Sequence, residues 1–125
     1  MATKSMQRSL KLIKENRWLY YVTETWNHYS KKRGDLFGFC DVLCLDGERT
    51  VAVQACGADY QEHVRKIHEC YYVVPWLEAG NEIQIWSWRK YLKKRGGKAK
   101  EWRVNIAEVL LLPWGELYIE ETWKK

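Results

Sequence analysis

Two neighbouring segments constrain this chain more than any other part of it. Leu36 to Leu45 (LFGFCDVLCL) is almost wholly apolar and holds one charge, Asp41. Thr50 to Cys56 (TVAVQAC) is again apolar and holds one amide, Gln54. Between them Asp46-Gly47 is a strong tight-turn pair. The pattern predicts a central hairpin in which each strand carries one polar side chain. Burying a carboxylate without a partner costs several kcal/mol, so Asp41 requires a cation, a metal or several donors. The sharpest expectation is that Asp41 and Gln54 face each other across a cation pocket.

The chain has 125 residues, 46% of them hydrophobic. That is material for one domain, residues 1–125, with a real core rather than disorder. No apolar run approaches the roughly 20 residues that span a bilayer. The segment MATKSMQRSLKLIK lacks the apolar stretch of a secretory signal. The expectation is a soluble cytoplasmic protein without membrane contact. Cys40, Cys44, Cys56 and Cys70 contain no C-x-x-C pair and read as structural free thiols rather than a zinc centre.

Around the hairpin, Met6, Leu10 and Ile13 predict a helix over 5–15. Aromatic and β-branched residues predict a strand over 18–29, followed by a charged turn over 30–34. After Gly57 a second helix begins, with Asp59 and Glu62 spaced as a capping box. Tyr60, Val64, Ile67 and Tyr71 mark its buried face, and it ends before Pro75. Strands follow over 82–91 and 101–109, and the tail from Leu110 carries no clear pattern. Helix, three-strand meander, helix, strand and extra strand make an α/β sandwich with a central mixed β-sheet.

That order, with Phe39-Cys40-Asp41-Val42-Leu43 on one core strand and Gln54-Ala55-Cys56 on the next, resembles the PD-(D/E)XK nucleases. The basic run Lys31-Lys32-Arg33-Gly34-Asp35 is similar to the loop before the Asp in Holliday-junction-resolvase-like members. The DLFGFCD segment resembles small phage and bacterial proteins of a divergent branch. The resemblance covers residues 5–90 and implies a restriction-endonuclease-like α/β sandwich. It also implies a Mg²⁺ (or Mn²⁺) cofactor, DNA as substrate, a homodimer, and a bacterial cell or phage-infected host.

The departures bear on the chemistry. Gln54 stands where the family has an acid, Cys56 where it has a lysine, and Gln7 where the resolvase branch has a glutamate. Phosphodiester hydrolysis needs a nucleophilic water and charge stabilisation at phosphorus, and a carboxylate-held Mg²⁺ supplies both. By resemblance the ion's ligands are Asp41, the Gln54 oxygen and the Ala55 carbonyl. Asp35 and Glu24 are the nearest carboxylates to restore the lost charge. Lys66 on the second helix is the replacement for the missing lysine, with His63 one turn earlier. Plainer roles stay open: a turn-capping Asp41, a core amide at Gln54, and a surface pair of Lys66 with Glu62.

The formal net charge is +5. Much of it falls in Lys93, Lys94, Arg95, Lys98 and Lys100 around Gly96-Gly97, and in Lys31, Lys32 and Arg33. Such clusters can follow a phosphate backbone. The sequence thus supports a metal-dependent endonuclease on duplex or branched DNA, with Asp41, Gln54 and Lys66 at its centre. A catalytically degenerate nuclease fold serving as a DNA-binding or assembly module is the rival, and an interaction protein for an acidic partner the third reading.

Overall fold

The computed structural model describes residues 3–27, 29, 32–34 and 36–122, with the backbone alone for 25–27, 32 and 33. Helix α1 (Lys4–Glu15) is capped by Thr3, whose hydroxyl accepts from the Met6 N–H at 3.1 Å. Strand β1 (Leu19–Val22) follows. The strand expected over 18–29 breaks there. The Thr23 N–H donates to the Asp41 carbonyl at 2.9 Å, and the Thr23 hydroxyl donates to the Cys40 carbonyl. Beyond those bonds β2 (Thr25–Asn27) pairs with β3 (Lys32–Gly34) in a separate two-stranded ribbon. Part of the expected charged turn is therefore strand.

Only the second half of the 36–45 run is strand, as β4 (Val42–Leu45). Leu36 and Cys40 close a tight loop through reciprocal backbone bonds of 3.1 Å, with Phe37 and Gly38 at φ 56° and 84°. Its apolar side chains are spent on packing: the Phe37 ring lies 5.3 Å from Tyr72 and the Phe39 ring 5.4 Å from Trp76. An apolar run shows that a segment is covered, not that it is extended. The Asp46-Gly47 turn forms as predicted, with Asp46 Oδ1 accepting from the Glu48 and Arg49 N–H groups. Strand β5 (Thr50–Cys56) has the predicted bounds.

Helices α2 (Tyr60–Glu69) and α3 (Val73–Glu78) replace the single helix expected before Pro75. Pro75 lies in the first turn of α3, where its missing N–H would have no helical partner anyway. The capping box does not form, because the Asp59 carboxylate is engaged by Gly57 and His63 while Glu62 pairs with Arg65 at 2.7 Å. Tyr71 lies past the end of α2 and is 79% exposed. Strand β6 (Glu82–Leu92) runs parallel to β5, and β7 (Lys100–Leu111) returns antiparallel. The patternless tail supplies β8 (Leu117–Glu121), which pairs with β7. Its hairpin is closed by the Leu112 N–H on the Glu116 carbonyl at 2.8 Å.

The sheet order is β1-β4-β5-β6-β7-β8. Val51 and Val53 of β5 pack with Met6 and Ile13 of α1. Ala52 and Cys56 point the other way, onto Tyr60, Ile67 and Val73 of α2 and α3. The six-stranded mixed sheet is thus covered by helices on both faces, the α/β sandwich that the segment order predicts. Trp86 is buried under α1 and donates to Gln84 Oε1 at 2.9 Å. Trp88 donates to Ser9 Oγ at 2.8 Å. Both indoles serve packing. Among the described residues no helix is long and apolar enough to cross a membrane.

Candidate functional site

Asp41 enters β4 from the loop of 36–40, and its backbone is fixed from two sides. Its N–H donates to the Val53 carbonyl at 3.1 Å, and its carbonyl accepts from Thr23 and Glu24. Its side chain is nearly buried, and Oδ2 accepts from the Ala55 N–H at 3.0 Å. The carboxylate therefore bridges the ends of the two central strands. It opens on a cavity of about 280 Å³ that Glu24 and Lys66 also line. These three side chains come from three places: the exit of β1, the entry of β4 and the middle of α2. The surface pair expected between Glu62 and Lys66 is not made, since Glu62 takes Arg65 instead. Lys66 forms no ion pair among the described residues.

Gln54 is fully buried and is not among the residues lining this cavity. Leu43 and Ala52 pair across the hairpin in the core beneath α2 and α3. Strand alternation therefore puts Asp41 and Gln54 on that same side of the sheet. The amide nonetheless ends in the core, with neither Nε2 nor Oε1 hydrogen-bonded. Ala55 lines the cavity. Asp35 and Lys31 lie outside the described residues. Gln7 is exposed on α1.

The α2 wall of the cavity holds a second group. Cys56, Asp59 and His63 each offer a ligand atom within 4.8 Å of the others. His63 Nε2 is 3.1 Å from Asp59 Oδ2, and its Nδ1 is buried without a partner. Burial pushes the Cys56 thiol up to about 12, with the Asp59 charge adding to it. Burial also acts to raise the Asp59 carboxyl, but the Gly57 N–H and His63 outweigh it and hold the group below its ordinary value. The trio holds a single cysteine and so no C-x-x-C pair. The available signal is the spacing Cys56, Asp59, His63, three and then four residues apart across a strand end and a helical turn.

The basic groups gather along the β6–β7 ribbon. Lys93, Lys94, Arg95, Lys98 and Lys100 are all exposed at its tip. Arg103, further down, is engaged with Glu101 at 2.7 Å. The root of the ribbon forms a cleft of about 480 Å³ with Arg8, Trp88, Arg89, Lys90 and Trp102 in its walls. The Arg8 guanidinium lies 3.6 Å from the centre of the half-exposed Trp102 ring, and Lys90 Nζ lies 5.3 Å from it. This cleft shares Thr3, Ser5 and Gly57 with the Asp41 cavity. Lys32 and Arg33 lie in β3, whose last residue, Gly34, lines that cavity. The aromatic cleft and the acidic cavity are thus contiguous, and the basic tip ends the ribbon whose root walls the cleft. No family model, curated protein or solved structure matches the chain.

Proposed function

We propose that the chain is a metal-dependent DNA endonuclease of the PD-(D/E)XK type, acting on duplex or branched DNA. The observation that carries this reading is the meeting of Asp41, Glu24 and Lys66 in one cavity contiguous with the cleft at the root of the basic ribbon. The donor chemistry fits a hard divalent cation, because Asp41 and Glu24 bring two carboxylates to the cavity. Glu24 thereby takes the part that the resemblance assigns to Gln54, whose amide does not reach the cavity lining. Mg²⁺ or Mn²⁺, when bound, supplies an acidified water and a polarised phosphate oxygen.

The protein's own groups do the rest. The Ala55 N–H holds the Asp41 carboxylate at the strand fork, so its orientation is set before any substrate arrives. Lys66 lines the same cavity. There it orients the attacking water and offsets the charge that builds on the phosphoryl oxygens. It replaces the lysine that Cys56 displaces, reaching the cavity from α2 rather than from β5. The tip of the ribbon and the Arg8–Trp102 cleft hold the phosphate backbone and an unstacked base.

Incubation with supercoiled plasmid and with branched DNA in Mg²⁺ or Mn²⁺ tests the reading, and nicked or linear product is the expected result. Salt-sensitive binding without cutting would replace it with the binding-module reading, which the burial of Gln54 favours. The ribbon makes a separate prediction. Exchanging Lys93, Lys94, Arg95 and Lys98 together for Ala should weaken DNA binding equally across sequences. The slope of log K against log salt should flatten by about 0.9 for each phosphate that the ribbon tip no longer neutralises. An unchanged slope, read by fluorescence anisotropy across a salt series, would remove the ribbon tip from the DNA contact.

A further inference from the structure

We propose that Cys56, Asp59 and His63 form a binding site for a zinc-class divalent ion on the α2 wall of the cavity. The three side chains offer one sulfur, one carboxylate oxygen and one imidazole nitrogen, with the ligand atoms within 4.8 Å of one another. Tetrahedral zinc coordination sets such atoms about 3.5 Å apart, so closing on an ion requires side-chain movements of about 1 Å. The movable partners are in place for that: Asp59 is exposed and His63 is half-buried, while Cys56 is fixed in β5. His63 Nδ1 is buried with no hydrogen-bond partner, so no structural bond on that nitrogen opposes ring rotation.

The donor set separates this site from one for Mg²⁺. A thiolate and an imidazole suit a borderline-soft ion, whereas Mg²⁺ takes oxygen ligands. Charge also balances. The ion displaces the Cys56 thiol proton to solvent, and thiolate plus carboxylate then neutralise its two positive charges. Three protein ligands leave a fourth position facing the cavity, open to water or to a phosphate oxygen. The site stands apart from the nuclease reading, because its readout is a Cys56 thiolate–metal bond that the nuclease reading does not use.

Co²⁺ titration of the metal-free protein is the test. Wild type should develop the sulfur-to-cobalt charge-transfer band of a thiolate complex, and Zn²⁺ should erase it. Cys56→Ser should lose the band, while Cys70→Ser, at a partly exposed thiol outside the trio, should keep it. Asp59→Asn changes an exposed side chain and His63→Ala a half-buried one. Each should weaken Co²⁺ binding by at least ~10-fold, the lower bound for loss of a group that only supports a metal ligand. Absence of the band in wild type, its survival in Cys56→Ser, or unaltered affinity in both other variants would each overturn the site.

Discussion

Asp41→Asn is expected to lower Mg²⁺-dependent cleavage by ~100-fold to ~1000-fold, the loss that follows when one preorganised charge-stabilising group is removed from a reaction centre. Asn keeps the size of the side chain and an oxygen that can still accept from the Ala55 N–H. The strand fork therefore survives, and the change isolates the charge. Because the carboxylate is nearly buried, neutralising it also removes a desolvation cost. Thermal stability in metal-free buffer should hold or rise. Added Mg²⁺ should raise the Tm of wild type, by preferential binding to the folded state, and leave that of the variant unmoved. DNA binding should persist, since it draws on the ribbon tip and cleft rather than on this carboxylate. Cleavage at near wild-type rate would sink the assignment of Asp41 to the metal. A collapse in metal-free stability would make it a structural carboxylate instead.

The parts of this fold that were legible in the sequence share one property: their side chains have a single face to satisfy. Met6, Leu10 and Ile13 announce α1, and the tight bounds of β5 follow from Asp46-Gly47 on one side and Gly57 on the other. The failures are of another kind. Phe37 and Phe39 are as apolar as any strand residue, yet they serve a loop that packs on Tyr72 and Trp76. The left-handed φ of Phe37 and Gly38 distinguishes the two cases, and it cannot be read from hydropathy. The break at Thr23 depends on bonds to Cys40 and Asp41, 17 and 18 residues away, which no local pattern encodes.

The site divides the same way. Asp41 stands out because a charge in an apolar run demands an explanation, and the helical spacing of His63 and Lys66 places both toward the cavity. Cys56, Asp59 and His63 escape notice because a strand end and a helix start bring them together. Neither a strand nor a helix period alone relates them. Gln54 shows the limit of the strand argument. Alternation gives the side of the sheet on which a side chain starts, but not whether a flexible amide ends in the cavity or in the core.

Gln54→Met is for that reason the most informative substitution in the core. The amide is fully buried between Ala52 and Cys56 on the α2 and α3 side, with both polar atoms unpartnered. An amide in such surroundings costs about 1–3 kcal/mol by the measure of protein substitutions. Met fills a similar volume with an unbranched chain that adapts to irregular space. The exchange should therefore stabilise the fold by about 1–3 kcal/mol in urea unfolding, with m unchanged. Its effect on the Mg²⁺ requirement decides between two roles. With Asp41 and Glu24 as the carboxylates of the cavity, cleavage by Gln54→Met should need no more Mg²⁺ than wild type. If Gln54 supplies a metal oxygen as the resemblance implies, the Mg²⁺ needed for half-maximal cleavage rises and Mg²⁺ no longer lifts the Tm fully. Lower stability with an unchanged Mg²⁺ requirement would instead mean that the amide is satisfied in solution, by a buried water bridging it to the backbone. Gln54 would then be neither an orphan nor a ligand, and its place on β5 would be purely structural.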